Sequence, residues 1–118
     1  MTLEQLYYRI NGDYKDIIAR FSSDVLITKF VLKFAKDTSF TTMNESLEKK
    51  DYRQAFLSAH TLKGLCLNLS FTDLCHSVSQ LTEELRNANE DPNPQLVSEV
   101  KNKYYNVISA IDEYTKHI

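Results

Sequence analysis

The strongest constraint on the fold is an apolar stripe near the carboxyl end of the chain. Its members are separated alternately by three and four residues: Val97, Val100, Tyr104, Val107, Ile111, Tyr114 and Ile118. This spacing lines one face of an α-helix, because the helix turns once every 3.6 residues or so. A heptad-type repeat predicts a long helix packed nearly antiparallel to its neighbours.

Similar spacing recurs along the chain, and polar residues mark the expected helix starts. Thr2 with Gln5 suits a capping box, while Asp13 and Asp51 suit single N-caps. Asn11-Gly12 is expected to end the first helix, since both residue types tolerate left-handed backbone angles. Only two glycines and two prolines occur, and no segment alternates as a strand would. We therefore predict one all-α domain over residues 1–118, an up-and-down antiparallel four-helix bundle with additional short N-terminal helices.

Composition excludes several classes of function. The net charge of −2 argues against nucleic-acid binding, which normally needs a basic face. No apolar run approaches the roughly 20 residues that a membrane span requires. Cys66 and Cys75 form no CxxC pair or common zinc pattern, and both lie in apolar stripes, so core packing is favoured over metal binding. Free thiols without a signal peptide predict a cytoplasmic protein.

The segment His60-Thr61-Leu62-Lys63-Gly64 carries the most chemical information. On the predicted helix 51–69, His60 lies about 100° from the core stripe at Ala59, so its ring can reach solvent. Lys63 and Gly64 follow at i+3 and i+4, on the same face as His60. Neutral imidazole is nucleophilic near pH 7, and a neighbouring ammonium can offset the charge of an added phosphoryl group.

Gly64 has two interpretations on sequence grounds. Glycine costs about 1 kcal/mol in a helix interior relative to alanine, so its presence needs a reason. It could leave room beside His60 for a bulky phosphoryl donor. Alternatively, it could permit close packing of another helix, with His60 an ordinary solvated residue at the edge of the core.

These residues also carry a family resemblance. Ala59-His60-Thr61-Leu62-Lys63-Gly64, followed by Asn68-Leu69 and Leu74, resembles the signature of histidine phosphotransfer (Hpt) domains. The resemblance implies that His60 is the phosphoacceptor, Lys63 its charge partner and Gly64 the clearance for a receiver domain. The chain departs from the family pattern at two positions. Ser70 stands where a glycine is usual, and Thr82 where several members place a glutamine that orients the histidine.

A docking rim is a further hypothesis from the helical projection. Phe56 and Leu67 fall within about 40° of His60, and Arg53 is close by. They would form an apolar rim for a receiver domain, or they are ordinary residues at the edge of the core. Thr82 remains a candidate for contact with His60 from the neighbouring helix, with Gln80 or Glu83 as substitutes.

The resemblance implies a phosphorelay carrier, not an enzyme with kinase or nucleotide-binding activity. The protein would accept a phosphoryl group on His60 from a receiver-domain phosphoaspartate and pass it to another receiver domain. Its partners would be response-regulator receivers, and a hybrid sensor histidine kinase is a further candidate. No cofactor or metal of its own is expected, because the receiver would bring Mg²⁺. We expect a monomer. The alternative is a non-catalytic helical interaction module that binds receiver or kinase partners.

Overall fold

Helices are the only regular secondary structure in the computed structural model, which describes residues 1–118. The seven helices are α1 (Leu3–Arg9), α2 (Tyr14–Phe21), α3 (Asp24–Lys36), α4 (Ser39–Glu48), α5 (Tyr52–Leu69), α6 (Thr72–Leu85) and α7 (Pro94–Thr115). Helices α4 to α7 pack against one another in chain order, and α3 lies against both α5 and α7. The predicted all-α bundle with additional N-terminal helices is confirmed.

The predicted helix starts are also confirmed. The Thr2 hydroxyl accepts from the amide of Gln5, and the Gln5 side chain accepts from the amide of Thr2, which completes a capping box. The Asp13 and Asp51 carboxylates each accept from the amide three residues later. Each cap provides a partner for an amide that the first helical turn leaves without one.

Helix ends use left-handed backbone at residues other than glycine. Positive φ angles occur only just after helices, at Asn11, Ser22, Lys50, Ser70 and Asn87. The prediction of left-handed tolerance is therefore right for Asn11 and wrong for Gly12. Gly12 serves close packing instead, because a Cβ there would lie 2.8 Å from Tyr7 Cδ2 and 3.0 Å from the Ser70 carbonyl oxygen.

The core follows the predicted stripes with small corrections at their edges. On α5 the buried members are Ala55, Ala59, Leu62, Cys66 and Leu69. Tyr52 and Phe56 are only half-buried, which places Phe56 at the boundary with solvent. Ile118 is 66% exposed because α7 ends at Thr115, three residues before it. Both cysteines are buried and free, as their positions in apolar stripes predicted.

Helix α2 and its N-cap residue form hydrogen bonds to the turn between α5 and α6. Ser70 in that turn donates its hydroxyl hydrogen to Asp16 Oδ2 at 2.5 Å and accepts from Arg20 at 2.8 Å. Arg20 also donates to the carbonyl of Asn68, and the Asp13 amide donates to the carbonyl of Ser70. These bonds fix the left-handed Ser70 and join α2 to the end of α5.

Candidate functional site

Helix α5 presents His60 on its solvent-facing side. The buried neighbour Ala59 faces the core, and one residue further the helix has turned by about 100°. His60 is accordingly exposed, as the helical projection predicted. Its imidazole has no hydrogen-bond partner within the chain, so both ring nitrogens are available to an incoming molecule.

The imidazole of His60 stacks on the phenyl ring of Phe56, one turn earlier in α5. The ring centroids lie 6.0 Å apart, and the planes are inclined by 22°. Helical side chains lean toward the amino end of their helix, which brings the His60 ring over the turn that contains Phe56. One side of the imidazole is therefore supported, while the side toward the carboxyl end of α5 is left open.

Lys63 and Gly64 lie on that open side. Lys63 is half-buried and takes part in none of the ion pairs of the structure, so its ammonium is free to meet an anion. Apart from the adjoining residues and backbone of α5, a Cβ built on Gly64 would meet no atom within 4 Å. The close-packing interpretation of Gly64 is therefore wrong, because no neighbouring helix approaches it.

Helix α6 contributes a charge pair beside these residues. Glu83 Oε2 accepts from Arg86 Nε at 3.2 Å, and Glu83 Oε1 accepts from Arg86 NH2 at 3.1 Å. The Arg86 guanidinium also lies over the Phe56 ring, 5.0 Å from its centroid. Arg86 holds the pKa of the Glu83 carboxyl below its usual value, and charges on Lys63 and His60 act in the same direction. Glu83 is thus within electrostatic range of both α5 residues.

The predicted rim residues occupy the same side of α5 but differ in exposure. Leu67 is 57% exposed, Phe56 is half-buried and Arg53 is exposed. Arg53 and Phe56 also line a concavity with Arg86. Leu57, which the rim prediction did not include, is 43% exposed and lies one turn from His60. Leu57 and Leu67 therefore leave apolar surface open to solvent on α5.

Thr82, the first candidate on α6 for contact with His60, is not placed to make that contact. Thr82 is completely buried, and its hydroxyl donates to the carbonyl of Val78 at 2.7 Å, within its own helix. That bond uses the hydroxyl hydrogen within the core, so it is not available to the exposed imidazole. Glu83, one of the substitutes considered, is the α6 residue that faces the site.

The remaining candidate ligands do not converge. No group of three or more His, Cys, Asp or Glu side chains could hold a metal ion. His76 and His117 are exposed and lie on α6 and beyond α7. Burial raises the pKa of the Cys66 thiol, which keeps it protonated and a poor metal ligand.

No helix combines the length and apolarity of a membrane span.

Arg86 is the site residue that sequence reasoning overlooked. Its position on the Phe56 ring depends on how α5 and α6 pack, and no local motif encodes that contact. A signal was present, however, because Glu83 and Arg86 are three residues apart and predict an intrahelical ion pair.

Comparison with protein families matches residues 36–110 to the family described as Hpt domain. The matched segment runs from the last residue of α3 into α7 and includes all of α4, α5 and α6. It contains His60, Lys63 and Gly64, and also the Glu83–Arg86 pair. Searches of curated proteins and of solved structures returned no match.

Proposed function

Because the chain belongs to the histidine phosphotransfer (Hpt) domain family, we propose that it relays a phosphoryl group between receiver domains on His60. Hpt domains are phosphocarrier modules of two-component signalling that interact with receiver domains, and they are not kinases.

The observation that carries this proposal is the empty space above Gly64. A glycine inside α5 costs about 1 kcal/mol relative to alanine, yet nothing within the molecule lies within 4 Å of its missing side chain. The space lies one turn from an exposed histidine that has no hydrogen-bond partner. An incoming protein that needs in-line access to the imidazole gives the glycine a function that internal packing does not.

The transfer chemistry requires little from this chain beyond a nucleophile in a fixed place. The unprotonated imidazole nitrogen attacks the phosphorus of a receiver phosphoaspartate, and an N–P bond forms. The P–O bond to the aspartate breaks, and the aspartate leaves as a carboxylate. The imidazole then carries a positive charge, since its other nitrogen keeps its proton until that proton passes to solvent. Transfer to a second receiver reverses these steps.

Phe56 and Lys63 would have separate tasks in this reaction. Stacking on Phe56 restricts the imidazole, which reduces the entropy lost when the donor docks. The Lys63 ammonium offsets the negative charge that the phosphoryl group brings to His60. Mg²⁺ would be supplied by the acidic pocket of the receiver, so no metal site is assigned to this chain.

We also propose that residues 1–118 act as one phosphotransfer domain. Helices α1 and α2 lie outside the matched segment, yet they bond directly to its interior. The Tyr7 hydroxyl donates to the carbonyl of Leu69 at 2.8 Å, and α2 holds Ser70 through Asp16 and Arg20. These contacts fix the carboxyl end of α5, the helix that carries His60.

A two-receiver relay assay tests the proposed function. The protein is incubated with a ³²P-phosphorylated receiver domain and Mg²⁺, separated from it, and then mixed with a second, unphosphorylated receiver. We expect the label to pass through the protein to the second receiver, and we expect His60→Gln to stop both steps. His76→Gln, which changes an exposed histidine on α6, is the matched control and should retain both. Receiver binding without any labelling would favour the non-catalytic interaction module instead.

A further inference from the structure

Glu83 is the acidic side chain that pairs with Arg86 beside His60. Its two carboxylate oxygens accept from Arg86, whose guanidinium lies over the Phe56 ring. The same ring stacks on His60. The Glu83 carboxylate on α6 is therefore connected, by the contacts of Arg86 and Phe56, to the face of α5 that would carry the phosphoryl group.

Arg86 is the main cause that lowers the pKa of the Glu83 carboxyl, and the nearby charges of Lys63 and His60 on α5 act in the same direction. Electrostatic interaction is mutual, so a negative charge added to His60 would be repelled by the Glu83 carboxylate. The side chain of Glu83 is 60% exposed, and water and salt will weaken the coupling without removing it.

A phosphoryl group on His60 would add roughly two negative charges to this face. Glu83 would repel that group directly, and it would also compete with it for the cations of Arg86 and Lys63. Both effects raise the free energy of the phosphorylated state relative to the unphosphorylated one. Neither effect depends on which receiver supplied the phosphoryl group.

We propose that Glu83 sets the phosphotransfer equilibrium in favour of the receiver domain, so that the protein gives up its phosphoryl group instead of storing it. This inference rests on the proposed function of His60. In the favoured direction, the N–P bond to the imidazole breaks and a P–O bond to the receiver aspartate forms. The imidazole leaves as the neutral ring after it takes a proton from solvent.

The test compares Glu83→Gln with Glu84→Gln. Glu84 is also exposed on α6, and its carboxylate accepts from the amide of Asn93, so the control removes the same charge one residue away. Each variant is mixed with a phosphorylated receiver and Mg²⁺ until the distribution of label is constant. The ratio of phosphorylated carrier to phosphorylated receiver is then measured at low and high salt.

We expect Glu83→Gln to raise that ratio about fivefold at low salt, with the gain shrinking at high salt. Glu83→Asp, which keeps the charge, should stay close to the wild type, and Glu84→Gln should change the ratio less than twofold or so. An unchanged ratio in Glu83→Gln would overturn the inference, as would an equal rise in Glu84→Gln. Failure of the proposed function gives a different result, because the wild-type protein would then take no label at all.

Discussion

The imidazole of His60 and the phenyl ring of Phe56 are stacked, with centroids 6.0 Å apart and an angle of 22° between their planes. This contact supports the histidine from the amino-terminal side of α5. One turn in the other direction, Gly64 leaves open space. A partner that reaches the imidazole therefore has its least obstructed path from the side of Gly64.

The substitution Gly64→Ala should stabilise the fold and slow phosphotransfer. The new methyl group meets nothing inside the protein, so the helix gains about 0.5–1 kcal/mol in free energy of unfolding, measured with urea. Receiver approach is hindered, and we expect phosphotransfer to slow on the order of tenfold, because displacements of about 1 Å are costly for in-line reactions. A variant that is stabilised and transfers at the wild-type rate would contradict the clearance role.

Leu67→Ser should weaken receiver binding without unfolding the protein. Leu67 is 57% exposed on α5, and loss of its apolar contact with a docked receiver should raise the dissociation constant about tenfold. Ile118→Ser is the matched control, because Ile118 is 66% exposed and follows α7, which packs against α6, α1 and α3. Calorimetric titration with a receiver domain measures both. Equal affinities for the two variants would remove Leu67 from the docking surface.

The two substitutions Ser70→Ala and Ser70→Gly should differ in stability. Both lose the hydrogen bonds to Asp16 and Arg20, at a cost of about 1–2 kcal/mol. Alanine also keeps a side chain at φ 57°, where glycine is free of steric strain. We expect Ser70→Gly to be the more stable of the two by about 1 kcal/mol in urea unfolding. The reverse order would show that the left-handed backbone at this turn is not strained.

The stability conferred by Asp16 should depend on pH. The hydrogen bond from Ser70, together with Arg20, holds the pKa of the Asp16 carboxyl below its usual value. The unfolded chain binds a proton there more readily, near pH 3.9 or so, and stability is lost as the pH falls through the folded-state pKa. The difference in free energy of unfolding between the wild type and Asp16→Asn should be constant from about pH 5 to 7 and shrink below about pH 4. A difference as large at pH 3 as at pH 6 would contradict this.

Local chemistry made most of the fold predictable. The caps at Thr2, Asp13 and Asp51 act within three residues, and the apolar stripes report directly which face is buried. The bond between Ser70 and Asp16 joins residues 54 positions apart, and its formation depends on how α2 lies on the turn. The close approach at Gly12 likewise depends on packing, which neither spacing nor turn chemistry specifies.

The same distinction between local contacts and contacts across helices applies to the site. The exposure of His60 follows from the phase of one helix, as does its neighbourhood with Phe56 and Lys63. Gly64 could leave room for a partner beside His60 or allow another helix to pack closely. Only the surroundings of the backbone distinguish these two interpretations. Contacts across helices were not predictable. For this reason Thr82 was named as a candidate for contact with His60 while Arg86 was overlooked.

The most direct test of the central claim locates the phosphoryl group after brief incubation with a phosphorylated receiver and Mg²⁺. Wild type, His60→Gln and His76→Gln are compared by tandem mass spectrometry at neutral to alkaline pH, with acid and alkali stability of the label measured in parallel. We predict an acid-labile, alkali-stable phosphoryl group on His60 in the wild type and in His76→Gln, and none in His60→Gln. Undiminished labelling of His60→Gln would contradict the account.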